Sequence, residues 1–486
     1  MAGGTWSKLS LKERPGTYIN WQSDKTNIVG IAERGTAIMP LLGHNYGPAG
    51  EFITLENSSP DAQYAKLGYS VYEEPLLLVK ELFKSAKTVI LYIPAQGDKA
   101  TATVTLGAVA PVVPAEGEGD VPGGDDAPIT PPAGPVELTA RAMYGGERGN
   151  ALSFDCSPNE DNDEAYDVNV YLDNAAVETF EELKTVGDLI AVGSQWITFK
   201  GDAEAALEDF SAISLEGGTN GVTNTVDITK FLDASEAIHW NTMAFPLDSK
   251  ENSSLLTAAV SKIKYLRNDV GKYRKLVVAN YAADFEGVIN VCNGYVLSDG
   301  AVVDAVKATA WVAGADAGAD CVTSNTYKAV EDAADICGLL THTEAVAAIK
   351  AGKFFFSFNE KNEVVVEYDI NSLTSYGGTD KKGKNWRKNR VLRVMDSFGE
   401  SVQLNFPPNR FDNDPDGWNI MEGLGKSILK VYGQKSDGGV GALKNIDYDN
   451  DFLVDREKSE DDETFFDVYI QPVDSSEKLY FTVTTH

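Results

Sequence analysis

A block of short alternating strands interrupts a chain that otherwise reads strand, helix, strand, and no other feature narrows the possible folds as much. Before the block, "NIVGIAERGTAIMPLL" predicts a buried strand and a loop. "EEPLLLVKELFKSAKTVILYIPA" then predicts a helix from about Glu74, with Leu77, Leu78, Leu82 and Phe83 inward, and a strand over 89–93. After it come a helix near 228–238, the strand "TMAFPL", a helix over 253–266 and the strands "KLVVAN" and "GVINV". Between them, residues 150–200 alternate with period two: Val168, Val170 and Leu172 point one way up to an Asp173-Asn174 turn. The chain is therefore expected to be an α+β multidomain protein. An α/β middle domain of residues 25–97 and 202–345 carries an inserted β-sandwich, 98–201.

Both ends of the chain predict strands without mates. "RPGTYINW" is a Pro15-Gly16 turn followed by a strand, with Thr17, Ile19 and Trp21 on one face and Tyr18 and Asn20 on the other. Nothing in the next twenty residues is an obvious hairpin partner. In the last run, "KLYFTVTTH", Leu479, Phe481 and Val483 alternate with Tyr480, Thr482 and Thr484. Residues 346–486 predict a third domain, with the strands "KFFFSF", "EVVVEYDI" and "FFDVYIQP" and helices near 386–398 and 418–432.

One segment lacks the means to pack. Residues 111–135 hold seven of the chain's 19 prolines, five glycines and five acids, with no aromatic or basic residue. Such a stretch cannot bury enough surface to offset its chain entropy, so it is expected to be a mobile surface loop within the sandwich domain.

Charge and composition exclude several functions. With 42 basic against 73 acidic residues the net charge is −31, which disfavours nucleic acid and anionic membranes. No apolar run approaches the length of a membrane span, and "MAGGTWSKLSLKERPG" lacks the apolar core of a signal peptide. Cys156, Cys292, Cys321 and Cys337 are scattered without CxxC pairs, so reduced thiols are expected rather than a disulfide framework or zinc site. The four histidines, His44, His239, His342 and His486, stand apart, and neither GxSxG nor HExxH occurs, so no enzyme is expected.

Four stretches invite chemistry. "YGGERGNALSF" and "LEGGTNGVT" are glycine-rich but lack the spacing and the lysine of a phosphate loop, so both are read as turns. In "DNDPDGWNIMEG", Asp412, Asp414, Asp416 and Gly417 match the first half of a calcium loop, but Glu422 stands one place early for the bidentate ligand. Capping of the following helix is the favoured reading, and no metal or cofactor is expected. "KKGKNWRKNRVLR" places seven basic residues (Lys381, Lys382, Lys384, Arg387, Lys388, Arg390 and Arg393) in a strongly acidic chain. It is either a solvated helix face or an electrostatic contact with a partner of opposite sign.

Taken in order, "RPGTYINW", "RAMYGGERGNALSF", "LEGGTNGVT", "FLDASEAIHWNTMAFP", "WVAGADAGADCVTSNTYK", "DINSLTSY", "KNRVLRVMDSF" and "VDSSEKLYFTV" resemble the contractile tail sheath proteins of myophages and R-type bacteriocins, especially those of Gram-positive prophages. The match spans nearly the whole chain. Segment 111–135 departs from it as an insertion, and "DNDPDGWN" is more acidic than the pattern. The resemblance implies a C-terminal α/β core domain, 346–486, whose sheet in one subunit is completed by strand arms of its neighbours. The arms would be residues 1–24, with Tyr18, Ile19 and Trp21, and 465–486, with Leu479, Tyr480, Phe481 and Val483. It further implies a helical homo-oligomer around a tail tube protein, assembled in a metastable extended state with baseplate and tail terminator proteins. Such a subunit would be made in the bacterial cytoplasm, built into a particle and released by lysis. The tube contact would be Lys381, Lys382, Lys384, Arg387, Lys388 and Arg390. The alternative of a different class is a surface-binding protein whose sandwich recognises glycans through exposed aromatics.

Overall fold

The computed structural model describes residues 2–4, 16–18, 33–107, 135–377 and 382–485. Two compact units divide the chain: Glu33–Asp396 with Pro472–His486, and Met1–Ala32 with Ser397–Gln471.

In the first unit, a seven-stranded sheet has the order Lys353–Phe354, Val288–Val291, Lys275–Ala279, Thr242–Ala244, Thr36–Pro40, Thr88–Tyr92, Phe52–Glu56. All neighbours are parallel except the edge strand Phe52–Glu56. Parallel strands are covered on both faces, which is why they read as continuous apolar runs rather than alternations. Ala37, Met39, Val89, Leu91 and Val277 enter one core, with helices Leu77–Phe83 and Ala308–Gly318. Ile38, Ile90, Tyr92, Leu276 and Val278 enter the other, with helices Thr225–Ala234 and Ser253–Asn268. The helix predicted from Glu74 starts as the 3-10 turn Glu74–Leu76; Leu76, Val79 and Leu82 are its buried apolar residues, while Leu77, Leu78 and Phe83 are half-buried. Strand Lys353–Phe354 lies past residue 345, where the sequence ended this domain, because it extends the parallel sheet at Val288–Val291.

The inserted β-sandwich has one sheet of Ala175–Leu183, Tyr166–Leu172, Leu152–Pro158 and Phe210–Ser214, and a second of Ile197–Lys200, Val136–Ala142 and Thr101–Leu106. Val168, Val170 and Leu172 are buried with Phe154 and Leu138 between the sheets. The hairpin turns at Asp173 and Asn174, both with positive φ, 52° and 65°; that conformation matches the strands' right-handed twist and suits Asp and Asn. Strand Phe210–Ser214 carries the sandwich past the expected limit of 201, since only its pairing with Leu152–Pro158 completes that sheet. The acidic segment 111–135 lies outside the described residues except for Pro135.

The first glycine motif bends into the 3-10 turn Glu147–Ala151 before a strand, whereas 215–223 is irregular rather than the expected turn, and the two meet where the sandwich joins the sheet. A Cβ on Gly146 would stand 1.7 Å from the carbonyl oxygen of Asn45, and one on Gly218 would stand 2.6 Å from that of Gly146. Gly146 also has φ of 134°. Backbone meets backbone here, and no side chain fits between.

The second unit holds the latter part of helix Asn389–Asn405, helix Pro415–Tyr432 and the hairpin Phe452–Val454 with Phe466–Val468. The helix predicted at 386–398 thus starts three residues later and runs further. Residues 346–396 belong with the parallel sheet, so the expected third domain 346–486 is divided at Ser397. Phe406 packs on Phe411, Phe452 and Phe466, with ring centroids 5.6 to 5.8 Å apart. The buried Tyr432 hydroxyl lies 2.7 Å from Ser397 Oγ and 2.8 Å from Ser401 Oγ.

Candidate functional site

The C-terminal segment rests on a short clasp and then becomes exposed. From Leu479 onward the alternation predicts a strand, yet residues 479–485 form no ladder. Leu479, Tyr480, Phe481 and Val483 are 65, 90, 82 and 84% exposed. A strand exists only by pairing, so alternation in a lone segment leaves its apolar face in water. Just before it, the Glu477 side chain is only 10% exposed. Its carboxylate takes a proton contact from Lys388 Nζ and accepts hydrogen bonds from Ser324 Oγ at 2.9 Å and Thr326 Oγ1 at 2.8 Å. Arg390 donates to Ser475 Oγ at 2.6 Å, and Asp474 stands 3.8 Å from Lys388 Nζ. Lys388 and Lys478 both lie over the Tyr368 ring, 4.3 and 5.5 Å from its centroid. Asp474, Lys478, Tyr368 and Lys388 help line a cavity of about 520 Å³.

At the other end, Gly16–Tyr18 is a strand, paired in parallel with Ala2–Gly4. The backbone of Tyr18 is thus in a ladder of its own chain, while Ile19 and Trp21 lie outside the described residues.

The basic run is not the continuous exposed cationic face that its spacing suggests. Arg387 and Lys388 are buried, and Arg387 donates to the Ile349 carbonyl. Lys382 pairs with Glu286 at 2.9 Å, Arg390 is committed to Ser475, and Lys381 lies outside the described residues. Lys384 alone among the described members of the predicted tube contact is exposed. The physical reason is tertiary: acceptors distant in sequence, carboxylates for Lys382 and Lys388, a carbonyl for Arg387 and a hydroxyl for Arg390, are folded against these cations and draw them from the surface.

Arg393 ends deepest. Wholly buried, it donates to Asp316 Oδ1 at 2.6 Å and Asp369 Oδ2 at 2.8 Å, while buried Lys275 donates to Asp316 Oδ1 at 2.6 Å and Asn389 Oδ1 at 3.1 Å. Burial alone would raise the pKa of Asp316, but Lys275 and Arg393 outweigh it and hold the carboxyl well below its usual range. Burial, abetted by Arg393 and opposed by Asp316, pushes Lys275 down to about 8. The one signal for this network in the sequence is an acid, Asp316, inside the otherwise small and apolar "WVAGADAGA".

In the acidic loop, Asp414 caps the helix, accepting from Gly417 N at 2.7 Å, while Asp412 and Asp416 are exposed. The residue that organises the loop is Asn413, which the sequence reading passed over. Its Oδ1 accepts from Trp418 Nε1 at 2.6 Å and Thr464 Oγ1 at 3.0 Å, and its amide donates to the carbonyls of Asp461 and Glu463. Among the described residues, no three His, Cys, Asp or Glu side chains are placed to share a metal ion. No helix among them is long and apolar enough to cross a membrane. The sandwich's exposed large apolar side chains among the described residues, Ile190 and Val192, are aliphatic, which does not favour the glycan reading.

Three family descriptions match the chain in order: phage tail sheath protein beta-sandwich domain over residues 95–220, phage tail sheath protein central domain over 220–372, and phage tail sheath C-terminal domain over 381–486. The chain is 33% identical to the sheath tail protein of Desulfitobacterium hafniense, whose structure it matches with a TM-score of 0.76 over 96% of this chain and 99% of that one. For the sheath tail protein of Listeria innocua the identity is 31% and the TM-score 0.72, over 93% of this chain and 95% of the other. The phage-like element PBSX protein XkdK of Bacillus subtilis is 32% identical, over 99% of both chains.

Proposed function

The chain belongs to the phage tail sheath protein family as a structural subunit, and we propose that it polymerises helically around a tail tube in a metastable extended state and contracts to drive the tube through a cell envelope. The observation that carries the assembly step is the exposed apolar segment 479–483. Ordering about seven residues costs on the order of 7 to 14 kcal/mol of backbone entropy, which a strand recovers by completing a sheet already formed in a neighbour. The N-terminal segment with Tyr18, Ile19 and Trp21 is the second arm of the same exchange. Repetition of one head-to-tail contact gives a helix rather than a closed ring when its rotation does not close.

The remaining partners are a tail tube protein, a baseplate and a tail terminator, with synthesis in the bacterial cytoplasm and release of the particle by lysis. Contact with the tube is assigned to the exposed Lys384 end of the basic run, with Lys382 reaching it by exchanging its Glu286 partner. Electron microscopy of the purified chain and of a chain ending at Lys478 tests the assembly reading. Helical tubes from the first and folded, dispersed subunits from the second are expected. Tubes from both would overturn the role of the C-terminal arm.

A further inference from the structure

We propose that Lys388, Arg390, Ser324 and Thr326 form a clasp that holds the root of the C-terminal arm, 474–477, and thereby sets where and in which direction the arm leaves its subunit. The inference rests on the arm reading above and gives the basic run a role within the chain. Glu477 is the key. In a segment where Leu479, Tyr480, Phe481 and Val483 are 65 to 90% exposed, its side chain is only 10% exposed, and each oxygen is engaged: Oε2 by Lys388, Oε1 by Ser324 and Thr326. A tail merely lying on a surface would keep such a carboxylate in water, because desolvating it is unfavourable unless charge and hydrogen bonds replace the lost water. Arg390 on Ser475, Asp474 near Lys388 and Lys478 over Tyr368 repeat the hold at three further residues.

The consequence is preorganisation. An arm free from Gln471 would have to order its root and its strand together on docking, whereas a clasped root leaves only 479–485 to be ordered. Lys388 and Arg390 are therefore positioning residues: they act on a neighbour through the arm and need not touch that neighbour.

The test uses the full chain with Glu477→Lys, Lys388→Met or the conservative Lys388→Arg, and the chain ending at Lys478. Folding is followed by circular dichroism, root order by hydrogen exchange of residues 472–478, and assembly by the critical concentration for tubes. Glu477→Lys and Lys388→Met should keep the subunit spectrum, lose protection of the root and raise the critical concentration at least about tenfold. Lys388→Arg should restore both protection and assembly, which loss of a generic packing contact would not predict. Should Lys388→Met fail to fold, Glu477→Lys carries the test alone, since Glu477 lies in a terminal segment. If the truncated chain cannot polymerise but Glu477→Lys polymerises at the normal concentration, the clasp is wrong and the arm stands. If the truncated chain polymerises normally, the arm reading fails and the clasp fails with it.

Discussion

At the residue scale, buried charge is where a single substitution costs most. Asp316 pairs with three cations, Lys275, Arg393 and, at 3.8 Å, Arg34, so Asp316→Ala would leave Lys275 and Arg34 without this anion and Arg393 with Asp369 alone. Removing one partner of such a network costs about 3 to 5 kcal/mol. Lys275→Met is expected to cost less, because Asp316 keeps Arg393; the order of the two unfolding midpoints in denaturant checks this. His44 gives a pH dependence. Burial lowers its pKa from 6.5 to about 4, despite the hydrogen bond its Nε2–H donates to the Leu67 carbonyl at 2.8 Å. As pH falls from 6.5 toward 4, the unfolded chain takes up a proton that the folded chain refuses, so stability drops across that window. His44→Gln should flatten this part of the curve of melting temperature against pH.

At the element scale, the helix Pro415–Tyr432 is started by one side chain. Asp414→Ala should destabilise the subunit by about 1 kcal/mol, as loss of an N-cap does. Chelator should leave its melting temperature unchanged; a calcium-dependent rise would mean that the loop binds the ion. Gly146 offers a harsher test. With φ of 134° and the Asn45 carbonyl 1.7 Å from a notional Cβ, Gly146→Ala must move the backbone that joins sandwich and sheet. A loss of about 3 kcal/mol is expected in chemical denaturation. "YGGERG" was legible as a turn, but what the glycines touch was not, because Asn45 lies a hundred residues away.

At the scale of the whole molecule, subunits of charge −31 repel one another as they approach. Raising ionic strength toward 0.15 M, where the screening length is about 8 Å, should hasten tube growth. Deleting 111–135 removes five acids and no predicted strand, so the shortened chain is expected to assemble at lower salt than the full chain. Loss of assembly on that deletion, seen by sedimentation, would place the segment in the lattice.

What the sequence determined by itself was set by local periodicity and composition. Apolar runs buried on both faces marked the parallel strands, alternation ending in Asp173-Asn174 marked the sandwich, and residues before Trp418 marked a helix start. Those signals act over a few residues, so one sequence window carries them. Tertiary structure decided which strand joins which sheet, as Phe210–Ser214 and Lys353–Phe354 show, because hydrogen-bonded neighbours can be separated by any length of chain. It also decided the fate of the basic run. Seven like charges close together look like a surface, but Lys382, Lys388 and Arg393 go where carboxylates are folded against them, and Arg387 and Arg390 are taken by the Ile349 carbonyl and the Ser475 hydroxyl. Asp316 and Asp369, 77 and 24 residues from Arg393, and Glu477, 89 residues from Lys388, turned those two cations inward.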